Sequence, residues 1–96
     1  YNYATGTYSV VVGGGHSTGQ FINCAKACNS GILGGKANTV NTGHDFSYIV
    51  GTRINSVSGN MLHANTLFLS AAALPTADPN VAGVVWRDGT DLKISV

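Results

Sequence analysis

The amino-acid sequence predicts an all-β protein in which short parallel strands stack on one another, and three observations support this prediction. One stretch is written twice at a spacing of 17 residues, once over 30–43 and once over 47–59. Each copy holds a short β-branched apolar run, a glycine corner and a second short run. No apolar pattern with the 3.6-residue spacing of a helix survives in either copy. Self-similarity at a short fixed period is typical of stacked repeats.

Four pairs of positions define the repeat. Because the members of each pair are 17 residues apart, we expect them to lie above one another on neighbouring turns, separated by about 4.8 Å. The pairs are Ser30 and Ser47, Gly34 and Gly51, Asn38 and Asn55, and Val40 and Val57. A degraded copy of the same pattern lies upstream and starts at Ser9.

The spacing between the degraded copy and the first clean copy is longer. Ser9 and Ser30 are 21 residues apart, four more than in the later pair. We expect the extra residues to form a surface loop over 24–28, because insertions in repeat proteins fall in loops. The two cysteines of that segment, Cys24 and Cys28, could form a disulfide, since 25–27 can make the turn that a bridge needs. Two free thiols are the alternative, and a zinc site would need further ligands.

The composition limits the classes of partner. Charged residues are 9% of the chain, against roughly 25% in an ordinary soluble domain, and the formal net charge is +1. A nearly neutral chain lacks the concentration of positive charge that binds nucleic acid. No apolar run approaches the roughly 18 residues that span a bilayer. We therefore predict no nucleic-acid partner and no membrane insertion. We interpret the weakly charged surface as one that is shared with other subunits.

The organisation of the chain follows from these patterns. Residues 1–70 are predicted to form the repeat domain with an N-terminal cap, and a strand-like run over 65–70 closes it. Two prolines and a glycine make 71–83 a linker. Within 84–96, two strand-like runs flank Asp88–Gly89, a dipeptide typical of β-hairpins. Because the first residue is Tyr rather than Met, we expect a processed product, a fragment, or the ordered part of a longer chain.

Two stretches resemble known families. The repeat reads Ser-x-φ-φ-Gly-Gly/Thr-x-x-Asn-x-Val-x-x-Gly (φ apolar) and covers the chain from Ser9 to Gly59. It resembles the head repeats of trimeric autotransporter adhesins, which also occur in trimeric bacteriophage fibres. The stretch from Leu74 to Ile94, in which Leu-Pro-x-x-Asp-Pro precedes Trp-x-Asp-Gly, looks like a tail segment near the ends of phage and prophage structural proteins.

The resemblance implies a left-handed parallel β-roll, or solenoid, that assembles as a three-fold trimer and ends in a C-terminal β-hairpin. It implies a phage fibre segment or tip on the virion, which presents loops to other virion proteins or to a glycan or protein receptor on the host surface. The alternatives are a head fragment of a bacterial trimeric adhesin, and a carbohydrate-binding or depolymerase module associated with a fibre. The tail-like segment favours the phage interpretation.

The residue types that carry catalysis or bind metals do not form a recognisable pattern. The histidines at 16, 44 and 63 share no repeat phase and make no His-x-His pair, so we expect surface or interface positions rather than metal ligands. The carboxylates are all Asp and offer no convincing pair for glycoside hydrolysis. The glycine runs lack the spacing of a phosphate-binding loop. We predict no enzyme, no metal and no cofactor.

The candidate contact surface consists of His44, Asp45, Phe46 and Trp86. The first three lie at the corner between the two copies, where polar and aromatic side chains are expected to be exposed. The Trp86 ring could stack on a sugar, but we favour a role in the hairpin core or in a subunit contact.

Overall fold

A computed structural model describes residues 1–17 and 21–96. This part of the chain contains no α-helix, and its parallel strands stack as a β-solenoid of about four turns, which confirms the predicted all-β class. The chain divides into two compact units, Tyr1–Thr66 and Leu67–Val96. The strands of the described residues are β1 (Asn2–Ala4), β2 (Val10–Val12), β3 (Asn23–Ala25), β4 (Gly31–Leu33), β5 (Thr39–Val40), β6 (Tyr48–Val50), β7 (Leu62–Ala64), β8 (Val85–Asp88) and β9 (Asp91–Ile94).

The unit Tyr1–Thr66 is built from two parallel sheets. The first sheet holds β1, β3 and β5 in that order, and the second holds β2, β4, β6 and β7. From β1 to β6 the chain alternates between the sheets, so each of these strands pairs with a strand one turn away. β7 follows β6 in the same sheet, and between them the chain touches the first sheet through the isolated bridge of Asn55 with Thr39. The core lies between the sheets, where Ala25 and Val40 of the first pack with Ile32 and Ile49 of the second.

Side chains on the second sheet alternate between the core and the outside, as period-two geometry requires. Ile32 and Ile49 are partners in register and are 2% and 0% exposed. Their neighbour Leu33 points away from the core and is largely exposed. The alternation is complete in β6, where buried Ile49 lies between exposed Tyr48 and Val50.

The 17-residue register is present on the second sheet. Gly31 pairs with Tyr48, and the Gly31 N–H donates to the Ser47 carbonyl at 3.1 Å. This pairing places Ser30 next to Ser47 on the neighbouring turn, as the repeat predicted.

The register of the first sheet differs by one residue. Thr39 lies opposite Asn55, so the neighbour of Asn38 on the next turn is Ile54, and Val40 has Ser56 beside it instead of Val57. The expected alignments of Asn38 with Asn55 and of Val40 with Val57 are therefore wrong. The cause is the glycine corner after β6, which is one residue shorter than the corner after β4.

The expected cysteine loop is also wrong. Cys24 belongs to β3, and Ala25 and Ala27 are core residues that are 0% and 1% exposed. Ala25 lies opposite Val40 in the strand pairing, whereas buried Ala27 and exposed Cys28 follow β3 in a short turn. The offset of 21 residues is the same for β1 with β3 as for β2 with β4, so the extra residues lie between β2 and β3.

The unit Leu67–Val96 contains the antiparallel pair of β8 and β9, with Val85 opposite Ile94 and Asp88 opposite Asp91. Gly89 adopts a φ of +62° in the connection between the strands. The strand predicted over 65–70 does not form. The stack continues instead into β7, which pairs with β6.

Candidate functional site

The outer side of the second sheet is a continuous apolar surface, which we call the apolar face. Its side chains come from the four neighbouring strands β2, β4, β6 and β7, and they alternate along each strand with residues that point inward. Each is between 45% and 65% exposed. The apolar face consists of Val10, Val12, Leu33, Tyr48, Val50 and Leu62.

A groove of about 240 Å³ runs across the apolar face. Gly31 lies at its centre, between Val10 on one side and Tyr48 on the other. A Cβ atom at Gly31 would lie 3.1 Å from the Val10 side chain and 3.2 Å from the Tyr48 ring, so glycine makes this depression possible. The described residues that line the groove are all uncharged. A contiguous apolar patch of this size is typical of a surface that packs against another protein.

The predicted contact residues His44 and Asp45 are tied to neighbouring turns. His44 Nδ1 lies 2.6 Å from the Ser56 hydroxyl, which also accepts the Asn41 N–H at 2.8 Å. Asp45 Oδ1 accepts the Cys28 N–H at 3.0 Å. Both side chains are half-buried, so their polar atoms fix the turn between β5 and β6.

The contact between His44 and Ser56 has the composition of an activated serine pair. However, Ser56 is only 4% exposed, and its oxygen already accepts a backbone N–H. A substrate carbonyl has no path to this hydroxyl. The arrangement therefore acts as a structural hydrogen bond.

Phe46 presents most of its ring to the outside. It is 52% exposed and adopts a φ of +58° at the tip of the turn. Its N–H donates to the Cys28 carbonyl at 3.2 Å, so the turn is anchored while the ring stays accessible. Of the three predicted contact residues at this corner, Phe46 is the one available to a partner.

Trp86 lies in β8 and is half-buried. The Lys93 ammonium lies 5.5 Å from the centre of its ring, opposite it on β9. Its indole N–H is buried and donates to no described atom. The ring thus has one face covered by a cation within its own unit.

Both cysteines are free thiols: Cys24 is buried in β3 and Cys28 is exposed. Among residues 1–17 and 21–96, no group of three histidine, cysteine or acidic side chains could hold a metal ion. The same residues include no helix with the length and apolarity to cross a membrane.

The sequence interpretation missed one cluster, which lies where the chain enters the first sheet. The Lys36 ammonium lies 5.0 Å, and the Arg53 guanidinium carbon 5.2 Å, from the centre of the Phe21 ring. The His16 ring meets the same ring edge-on, with 5.1 Å between centroids. We call Phe21, Lys36 and Arg53 the cationic corner.

The chain was compared with protein-family models, with curated proteins and with solved structures, and none of the three comparisons finds a match. The geometry of the two units and the repeat in the sequence therefore carry the functional argument.

Proposed function

We propose that the protein is a structural and adhesion subunit of a phage particle, a segment or tip of a trimeric fibre. Three left-handed solenoids pack through their apolar faces around one axis, and the corners face outward. The strands β8 and β9 supply the C-terminal hairpin that the resemblance implies. In this arrangement the turn that carries Phe46 contacts a host-surface receptor or another virion protein.

The observation that carries this proposal is the apolar face. Each of its six side chains is about half exposed, and a stable protein interface buries about 800 Å² on each partner. A solenoid with so small a core gains stability by burying this surface, and the repeat resemblance gives the number of copies as three.

The mass of the protein in solution tests the assembly. We expect a mass three times the 9.8 kDa of the chain in sedimentation or light-scattering measurements. Replacing Leu33 by Glu puts a carboxylate in the centre of the apolar face, where burial without a partner is costly. The Leu33→Glu protein should therefore be a monomer.

The matched control is Val57→Glu. Val57 is 74% exposed but does not belong to the apolar face, so this variant should keep the mass of the wild type. Circular dichroism of each variant checks that the strands are retained. A monomeric wild-type protein, or a Leu33→Glu variant with an unchanged mass, would rule out assembly through this face.

Attachment is tested separately with labelled protein on arrays of bacterial surface glycans and proteins. Phe46→Ala removes the exposed ring without touching a core contact, so we expect it to lower the signal of the bound receptor at least several-fold. Thr42→Ala, an exposed change in the same turn, should leave the signal unchanged. Equal signals for the wild type and Phe46→Ala would remove this turn from the contact surface.

A further inference from the structure

The cationic corner is a column of side chains from three successive turns of the solenoid. The Ala37 N–H donates to the Phe21 carbonyl at 3.1 Å, and the Arg53 N–H donates to the Lys36 carbonyl at 2.9 Å. These backbone bonds stack the three turns directly on one another. The side chains of Lys36 and Arg53 then converge on the one ring supplied by Phe21.

The two positive charges have no carboxylate to neutralise them within Tyr1–Thr66. The sequence of this unit contains a single acid, Asp45. Its side chain accepts the Cys28 N–H on the turn between β5 and β6, which is a different corner. The ion pair found among the described residues, Lys93 with Asp88, belongs to the other unit. The cationic corner is therefore a local concentration of positive charge on a nearly neutral chain.

The fold itself does not require this charge. Arg53 has a φ of +59°, a left-handed conformation that Gly or Asn adopts at lower cost. Its side chain is exposed and contributes nothing to the core cluster. Two like charges on adjacent turns also repel each other. Residues that are unfavourable for the local fold occur preferentially at functional sites.

We propose that the cationic corner binds the oxyanion of an acidic sugar, a carboxylate or phosphate group on a surface polysaccharide. The Arg53 guanidinium can donate two parallel N–H bonds to such a group, and Lys36 adds a point charge from the neighbouring turn. One site binds weakly, and the gain from several copies on one fibre rests on the proposed trimer.

The test is a titration of the whole protein followed by amide chemical shifts in NMR. Glucuronic acid supplies the carboxylate, glucose 6-phosphate supplies the phosphate, and glucose is the neutral control. We expect both acids to shift the amides of Ala37 and Arg53, whereas glucose does not. The acid that binds more tightly identifies the natural anion. Equal shifts with glucose, or no shifts with either acid, would overturn the proposal.

Two variants remove the charges without disturbing the backbone. Arg53→Asn keeps a residue that tolerates positive φ, and Lys36→Gln keeps the length of the side chain. Each should weaken binding of the preferred acid at least five-fold. The control Lys26→Gln removes an exposed lysine outside the cationic corner and should retain wild-type affinity. Unchanged affinity in Arg53→Asn and Lys36→Gln would contradict the proposal.

The solution mass of the same samples separates this inference from the proposed fibre. If the protein is a monomer and binds the acid through Arg53, the binding site is supported and the proposed trimer is contradicted. If the protein is a trimer and binds neither acid, the proposed assembly is supported and the binding site is contradicted.

Because the contact between the cationic corner and the acid is ionic, the affinity for the acid should also fall several-fold between about 50 and 200 mM salt.

Discussion

The side chains of Asn23 and Asn38 connect successive turns of the solenoid from within. Both are 0% exposed. Asn23 Oδ1 accepts the backbone N–H of Asn38 at 3.2 Å and its side-chain amide at 3.1 Å. Asn38 Oδ1 accepts the Ile54 N–H at 3.0 Å, and its amide donates to the Gly51 carbonyl at 2.7 Å. Buried amides of this kind stabilise only while every partner is present.

Replacing Asn38 by Ala should therefore destabilise the protein by about 3 kcal/mol, because several buried backbone and side-chain groups lose their partners at once. Asn55→Ala is the matched control, since Asn55 is exposed and should change the free energy of unfolding by less than about 0.5 kcal/mol. Urea unfolding at one fixed protein concentration measures both values. Equal losses in the two variants would contradict the register of the first sheet.

A second residue-scale feature is the carboxylate of Asp78. The Ser95 hydroxyl donates to Asp78 Oδ1 at 2.6 Å, and the Asn80 N–H donates to the same oxygen at 2.8 Å. These two bonds hold the pKa of Asp78 below its ordinary value of 3.8, and the bond from Ser95 has the larger effect. A lowered pKa contributes stability above the unfolded-state pKa, and that stability is lost as the pH falls through the folded-state pKa.

The Ser95→Ala variant should therefore raise the pKa of Asp78 toward 3.8 and weaken the acid dependence of stability that this carboxylate provides. The chemical shift of the Asp78 carboxyl carbon, followed as the pH is lowered from 6 to about 2, measures the change directly. Ser70→Ala, which removes a hydroxyl without a bond to Asp78, should leave the titration unchanged. Superimposable curves for the wild type and Ser95→Ala would show that the hydroxyl has no influence.

At the scale of the strands, the sequence predicts the parallel stack because the apolar runs and the core positions coincide. Ile32 and Ile49 occupy equivalent letters of the two copies and are partners in register. The first sheet could not be aligned in the same way. Gly34-Gly35 and Gly51-Thr52 can both form a turn. The similarity of the two copies therefore does not reveal that the corner after β6 is one residue shorter than the corner after β4.

The candidate sites show the same limit. The exposure of Phe46 follows from its place at a corner, and the structure has the ring exposed. The bonds of His44 and Asp45 could not be read from the sequence, because their partners come from other turns. The cationic corner was missed because of Phe21. Lys36 and Arg53 are 17 residues apart and occupy equivalent positions of the repeat, but Phe21 is out of phase with them, so the ring on which they converge is revealed only when the turns are stacked.

The glycine corners provide a prediction at this scale. Gly34 and Gly35 have similar φ values, +68° and +70°, but different surroundings. A Cβ atom at Gly34 would meet nothing within 4 Å, whereas one at Gly35 would collide with the Gly51 carbonyl of the next turn. Gly34→Ala should cost about 1 kcal/mol for the left-handed conformation alone. Gly35→Ala should cost more than about 3 kcal/mol, since the backbone must also move.

Thermal and urea unfolding of the two variants at equal protein concentration compare these costs. Each carries the same added methyl group in the same corner, so a difference in stability isolates the close approach of two turns. If Gly34→Ala and Gly35→Ala are equally stable, the stacking of this corner on Gly51 is incorrect.

For the molecule as a whole, the distribution of apolar side chains is the feature that needs explanation. Among the described residues of Tyr1–Thr66, the buried hydrophobic side chains are small or medium-sized: Cys24, Ala25, Ala27, Val40, Ile32 and Ile49. The apolar face exposes side chains as large as the largest of these or larger, including Leu62 and Tyr48. Much of the apolar surface of a single chain is therefore exposed. It contributes hydrophobic stabilisation only when another surface buries it.

If copies of the chain cover the apolar face, folding and assembly are one equilibrium, and stability depends on protein concentration. For three chains, a tenfold increase in concentration should add about 0.9 kcal/mol per chain, since two thirds of RT ln 10 is gained by each. For a chain of this size that raises the midpoint of thermal unfolding by about 5 °C. Calorimetry at three concentrations, each tenfold apart, measures the dependence. The Leu33→Glu protein should unfold at one temperature throughout, because its carboxylate prevents burial of the face. A wild-type midpoint that does not move with concentration would show that each chain folds alone and that the apolar face stays uncovered.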